Sequence, residues 1–258
     1  PFAVLYVWGL NSFGGFQIPD INNTFLIFCF LGGLTQIIFT FLLVWLFSFR
    51  NFAAGTIYSK TETVQVAILG LFILGEPLSA AAIIAILISL IGVLALSIAE
   101  TKLTPANLVS SLGEKSTIIG LTCGAFLGAS VVFFRGGALT LGGDGFLMQA
   151  AFTLAVSVIM QTIMMGAYLA LREPGQLKSV IIHWKPSLSV GVTGVIASIG
   201  WFSAFTLQNA AYVRSLGQIE LVFTIIVTAI FFREKIRTSE IIGIFFILVG
   251  ILMLLLAG

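Results

Sequence analysis

The stretch KTETVQVAILGLFILGE, Lys60 to Glu76, decides the fold because the chain contains it twice. Its second copy is QIELVFTIIVTAIFFRE, Gln218 to Glu234. A constant offset of 158 residues superposes Glu62 on Glu220, Val64 on Val222, Ile68 on Ile226 and Glu76 on Glu234 without a gap. The register persists outward. Downstream, Ile83, Leu90, Gly92 and Leu96 meet Ile241, Leu248, Gly250 and Leu254; upstream, Gly33, Thr35, Phe47, Asn51 and Ala53 meet Gly191, Thr193, Phe205, Asn209 and Ala211. The chain is therefore two related halves, each with one carboxylate inside an apolar run.

Composition supplies the solvent. Hydrophobic residues make up 59% of the chain and charged residues 9%, with a mean hydropathy of +1.15, whereas a soluble domain carries roughly 25% charged residues. Lipid tolerates an apolar exterior all round, so the chain reads as an all-α integral membrane protein. The net charge of +2 gives no reason to expect nucleic acid. Cys29 and Cys123 each fall within an apolar run and read as packing residues, not as a disulfide or metal ligands.

Nine apolar segments follow: 2–16, 25–49, 57–74, 80–98, 118–141, 146–171, 187–207, 215–232 and 239–257. Most have the length that a helix needs to cross roughly 30 Å of hydrocarbon. The first is short, and the offset lays it on the second half of segment 146–171, while segment 118–141 has no counterpart. Two inverted five-helix repeats are expected, a ten-helix bundle represented here by about nine spans, with a helix and a half preceding Pro1. The boundaries expected are 1–99 for the first repeat, 100–115 for a polar linker, ETKLTPANLVSSLGEK, and 116–258 for the second repeat.

Arg50, Lys60, Lys102, Lys115, Arg172, Lys178, Lys185, Arg233, Lys235 and Arg237 lie on one set of loops; Asp20, Glu76, Asp144 and Arg214 lie on the other, with Arg135 near a helix end. The basic set is expected on the cytoplasmic side, which puts the C-terminus outside. An odd number of helices per repeat inserts the halves in opposite senses, as the acidic GEPLS at Gly75 and the basic REKIR at Arg233 suggest.

SKTET at Ser59, GE at Gly75 ahead of IGVLAL, GQIELVFT at Gly217, and REK ahead of GIFFILVGIL resemble the drug/metabolite transporter superfamily, EamA type. The likeness runs over essentially the whole chain. It implies a permease built from two inverted five-helix repeats around a central substrate cavity. Many relatives carry Pro after the repeated Glu; Thr63 and Leu221 stand there in this chain, so no proline-induced helix break is expected.

The residues expected along a substrate or proton pathway are Glu62, Glu220, Gln149, Gln161, Trp201 and Arg214. Glu62 and Glu220 are carboxylates within spans, where an ionisable group is costly unless it meets a wet cavity or a partner. They read either as proton carriers and cation ligands or as caps of neighbouring helix ends. Gln149, Thr153, Ser157 and Gln161 recur every four residues on one helix face, and Ser198, Trp201, Phe205 and Gln208 form a second strip; each strip lines a cavity or hydrogen-bonds to another helix. Arg214, at an expected helix entrance, attracts an anion or pairs with a carboxylate. Gly120, Gly124 and Gly128 read as a close helix contact, and His183 as a surface residue.

Two function classes follow. One is a secondary transporter moving small metabolites, amino acids, related compounds or amphipathic drugs, by alternating access across a bacterial cytoplasmic membrane. The other is a membrane-embedded enzyme such as a lipid-modifying transferase or an intramembrane protease. The second needs HExxH, GxSxG, a Cys/His pair or paired aspartates within spans, and the chain has none. No enzyme activity, cofactor or metal is expected; the expected partners are a small-molecule substrate, the lipid bilayer, a proton and a second copy in a homodimer.

Overall fold

A computed structural model describes residues 1–101, 104–143, 145–231, 233 and 237–257. Lys102, Asp144, Glu234 and Lys235 of the charge and repeat readings lie outside the described residues. The helices are α1 (Phe2–Gly14), α2 (Asn23–Leu46), α3 (Phe52–Ser59), α4 (Glu62–Leu74), α5 (Ala80–Thr101), α6 (Pro105–Ser110), α7 (Lys115–Thr140), α8 (Phe146–Arg172), α9 (Pro174–Ile182), α10 (Trp184–Leu207), α11 (Ala210–Gly217), α12 (Ile219–Phe231) and α13 (Thr238–Ala257), with no strand among the described residues. Among the described residues seven runs are long and apolar enough to cross a membrane: α2, α5, α7, α8, α10, α11 with α12, and α13. An eighth is the pair α3 and α4, bent by 41°; α1, at 13 residues, is shorter. The linker between the halves folds in part as α6, where Thr104 caps the helix by accepting from Asn107 N–H at 3.2 Å.

Two helix starts differ by five residues from those read in the sequence, more than any other. The third span begins at Phe52, not at 57, and the eighth at Ala210, not at 215. Arg214 therefore stands within a helix rather than at its entrance, and Lys60 lies in the turn between α3 and α4. Charge ends an apolar window in a sequence, but a helix carries it onward when the side chain finds a partner or a wet face.

The break between α3 and α4 also forms without proline. Lys60 N–H and Thr61 N–H donate to Ile57 O and Tyr58 O, each at 3.1 Å, tightening the turn. The hydroxyls of Ser59 and Thr61 donate to Thr56 O and Tyr58 O at 2.7 Å, taking up carbonyls that a straight helix would use. At the equivalent place Gln218 separates α11 from α12. The offset of the sequence repeat thus carries α3 onto α11, α4 onto α12 within one residue, and the start of α5 onto that of α13. It also carries Gly75, whose φ of 67° ends α4, onto Arg233, whose φ is 55°. The first is a Schellman stop, with Glu76 N–H on Gly70 O at 3.3 Å.

The helices pack as two units, Pro1–Ile37 with Phe133–Gln208, and Ile38–Val132 with Asn209–Gly258. Each draws on both sequence repeats, so packing and repetition divide the chain differently. In the first unit α8 is the core helix: Met148, Ala151, Leu154 and Ala155 pack with Ala3 and Val7 of α1 and Phe202 of α10. Phe25 and Cys29 of α2 close a second cluster with Leu141.

In the second unit the main packing is α5 against α13. A Cβ on Gly250 would lie 2.7 Å from Ser89 N, one on Gly92 2.6 Å from Ile247 N, and one on Gly243 3.0 Å from Leu96 N. Rising numbers on one helix meet falling numbers on the other, so the pair is antiparallel. Ser89 is equivalent to Ile247 and Gly92 to Gly250, so the first two contacts are one contact with the helices exchanged. That reciprocity is the mark of a two-fold axis between repeats. In the same unit α7 lays its glycine face on the bent span: added Cβ atoms would fall 2.0 Å from Gly55 O at Gly120 and 2.8 Å from Ser59 O at Gly124. Only small residues permit this approach.

Candidate functional site

The second unit holds a buried charge pair. Arg214 Nη2 donates to Glu62 Oε1, with Glu62 only 4% exposed and the Arg214 side chain 16%. The broken helices position both. Glu62 is the first residue of α4, and Arg214 lies in the last turn of α11, so each charge faces the helix end whose dipole favours it. The pair joins the two sequence repeats, because α11 packs on α4. Ser215 follows on the same helix and Gln218 caps its end, 1% and 2% exposed. Gln218 Nε2 reaches Arg214 O at 3.4 Å, while Gln218 Oε1 and Ser215 Oγ are buried without a hydrogen-bond partner among the described residues.

Glu220 is the repeat equivalent of Glu62 and occupies the first turn of α12, yet it is exposed. Among the described residues no ion pair holds it. One carboxylate of the repeat is buried and paired; the other is open.

The remaining pathway residues belong to the first unit, where the groups are neutral. Gln149 Nε2 donates to Leu141 O at 2.9 Å and borders a cleft of about 490 Å³ that Gln17, Asp20 and Gly143 also line. Three turns on, Gln161 Nε2 donates to Gln36 Oε1 at 2.7 Å, tying α8 to α2, and covers Gly33, where a Cβ would lie 3.1 Å from Gln161 Cγ. Thr153 and Ser157 between them are buried. Trp201 is half-buried and stacks on Phe205, centroids 5.5 Å apart. Arg135 donates to Phe205 O and, at 2.6 Å, to Gln208 O, closing the C-terminal end of α10. The structure thus brings Glu62 to Arg214, sets Glu220 in the same unit, and separates Gln149 from Gln161.

Sequence reasoning passed over Gln36 and Gln218. Gln36 is a polar residue in the long apolar run of α2, a signal of helix-to-helix bonding. Gln218 stands opposite Lys60 in the repeat, at both breaks. His183 is exposed, with Nδ1 3.0 Å from Ser179 O. Among the described residues no three metal-ligating side chains cluster.

A profile of the EamA-like transporter family matches residues 115–256, more than half of the chain. No curated protein matches the chain in sequence. Among solved structures, one crystal structure of a protein aligns with a TM-score of 0.67 at 17% identity, over 99% of this chain and 83% of that one. At that identity the likeness is one of fold.

Proposed function

The chain belongs to the EamA-like transporter family, and from that premise we propose that it is a proton-coupled secondary transporter of small metabolites, amino acids or compounds related to them, working by alternating access. Membership makes it a multi-pass membrane transporter of small molecules. The observation that carries the finer reading is the unequal pair of glutamates at equivalent places in the two halves, Glu62 after a bend of 41° and Glu220 after the one-residue interruption at Gln218. Broken helices at equivalent places in two halves are where transporters of this architecture bind and couple. A carrier needs one ionisable group whose access to water changes between states, and a carboxylate without a cation beside it is the one free to take up a proton. Glu220 is assigned that role in this state. Glu62 is paired with Arg214 and is assigned to join the repeats.

On this reading Gln149, Gln161 and Trp201 give the path its neutral polar groups, with Gln149 at the cleft and Gln161 as a contact between α2 and α8. The assignments are tested in proteoliposomes with a panel of radiolabelled amino acids and an imposed pH gradient. Glu220→Gln keeps the shape and removes titration, so it should abolish accumulation driven by the gradient while exchange of labelled for unlabelled substrate continues. Accumulation unchanged in Glu220→Gln rejects the coupling role.

A further inference from the structure

Positions 56 and 214 are equivalent under the repeat, yet one is Thr and the other Arg. Thr56 donates its hydroxyl to Phe52 O at 3.0 Å and supplies no charge. Two equivalent glutamates, Glu62 and Glu220, thus share one cation. In this structure the cation sits on Glu62, the buried one, and Glu220 is open. Glu220 follows Arg214 by six residues across the Gln218 turn. The buried Gln218 Oε1, which accepts no hydrogen bond among the described residues, stands between them in the chain. Helices α4, α5 and α13 pack on α11. Their acids are Glu62, Glu100 and Glu240, and Glu240 already accepts from Arg237 N–H at 2.8 Å.

The contacts of α5 with α13 are reciprocal under the repeat, and inverted repeats alternate by rocking against each other about a central site, so a second state with the roles of the two halves traded is open to this chain. In that state Glu220 would take the buried place and Glu62 the open one. A buried carboxylate left without its partner is costly, and position 56 offers no second cation. The single arginine has to follow the burial.

We propose that Arg214 is a switch cation that pairs alternately with Glu62 and Glu220, leaving only the other carboxylate open to a proton in each state. This deepens the transport reading and rests on it for the proton's purpose. As Arg214 arrives, Glu220 gives its proton to water, and as Arg214 leaves, Glu62 takes one from water. One guanidinium, one carboxylate and one carboxylic acid are present before and after, so the three side chains keep a constant net charge. Arg214 is a positioning residue: it selects which acid titrates and touches no substrate.

The test uses the full-length protein with Gln149→Cys as a reporter, in a Cys29→Ser, Cys123→Ser background, labelled by an impermeant maleimide in right-side-out and inverted vesicles. Glu220→Gln should hold Arg214 on Glu62, and Glu62→Gln should hold it on Glu220. The labelling rates should shift in opposite senses, by about fivefold or more each. Arg214→Thr should erase the pH dependence of labelling, and adding Thr56→Arg should restore it, because the equivalent position then offers the cation to Glu220. Shifts in the same sense, no shift, or no restoration in a monodisperse double variant overturn the proposal. Where a Gln variant does not purify as a monodisperse protein, Glu62→Asp and Glu220→Asp, which keep the charge and shorten its reach, are read by the same labelling. No substrate is needed. A chain that labels as expected but accumulates no amino acid loses the transport reading and keeps the switch.

Discussion

Glu62 and Glu220 stand at the same register of one repeated motif, each opening the second half of an interrupted span, and they live in opposite surroundings. Glu62 is covered by α11 and paired with its arginine; Glu220 is exposed. The difference arises outside the motif. Position 214 supplies a cation where position 56 supplies a hydroxyl, and α7, which has no counterpart in the repeat, lays its glycine face along α3 and α4. Equivalent sequence therefore specifies equivalent backbone, while the environment of a side chain depends on which helix covers it.

The contrast is tested first by removing charge. Arg214→Leu leaves Glu62 buried and alone, and should cost about 3–5 kcal/mol, read as thermal unfolding of the purified protein in detergent. The double variant Arg214→Leu, Glu62→Leu should recover most of that loss. If the single and double variants unfold alike, the pair is not what holds α11 to α4. Next in size is Gly120→Ala, which drives a methyl onto Gly55 O and should cost about 1–3 kcal/mol. A tolerated alanine would mean that α7 does not cover the first break, and one source of the asymmetry would disappear.

A smaller effect sharpens the comparison at the far ends of the same helices. Gly75 and Arg233 share a left-handed backbone, so Gly75→Ala should destabilise and Arg233→Gly should stabilise, each by up to about 1 kcal/mol. Opposite signs at equivalent positions would show that both repeats keep the conformation and only one has the residue suited to it. The smallest shift is expected at Glu220→Gln, within about 0.5 kcal/mol because the side chain is exposed, even though the same variant is expected to lose pH-driven accumulation. A large loss of stability there would place Glu220 in a structural role.

Much of the frame was legible because lipid imposes a simple grammar. The apolar windows mark the spans, with α1 short as expected, and the face of Gly120 and Gly124 proved to be a helix contact. The boundaries at Phe52 and Ala210 were not legible, since Lys60 and Arg214 end an apolar window although helix precedes each of them, α3 before the turn at Lys60 and the first turns of α11 before Arg214. Nor was the break without proline, which rests on hydroxyl-to-carbonyl bonds at Ser59 and Thr61 that composition does not announce. Gln161 could be read as cavity or contact; its bond to Gln36, 125 residues away, is tertiary information.

What the sequence by itself determined is the class and the repeat: a chain too apolar for water, with two halves in register and a glutamate at the same place in each. Hydrophobicity and periodicity are local properties, and they survive being read along a line. What only the tertiary structure decided is the partner of each glutamate and the grouping of helices into units that mix both halves. Arg214 and Glu62 are 152 residues apart, and their meeting depends on the shapes of the surfaces between them. Burial is a property of the packed assembly, and it is burial that makes two identical acids unlike.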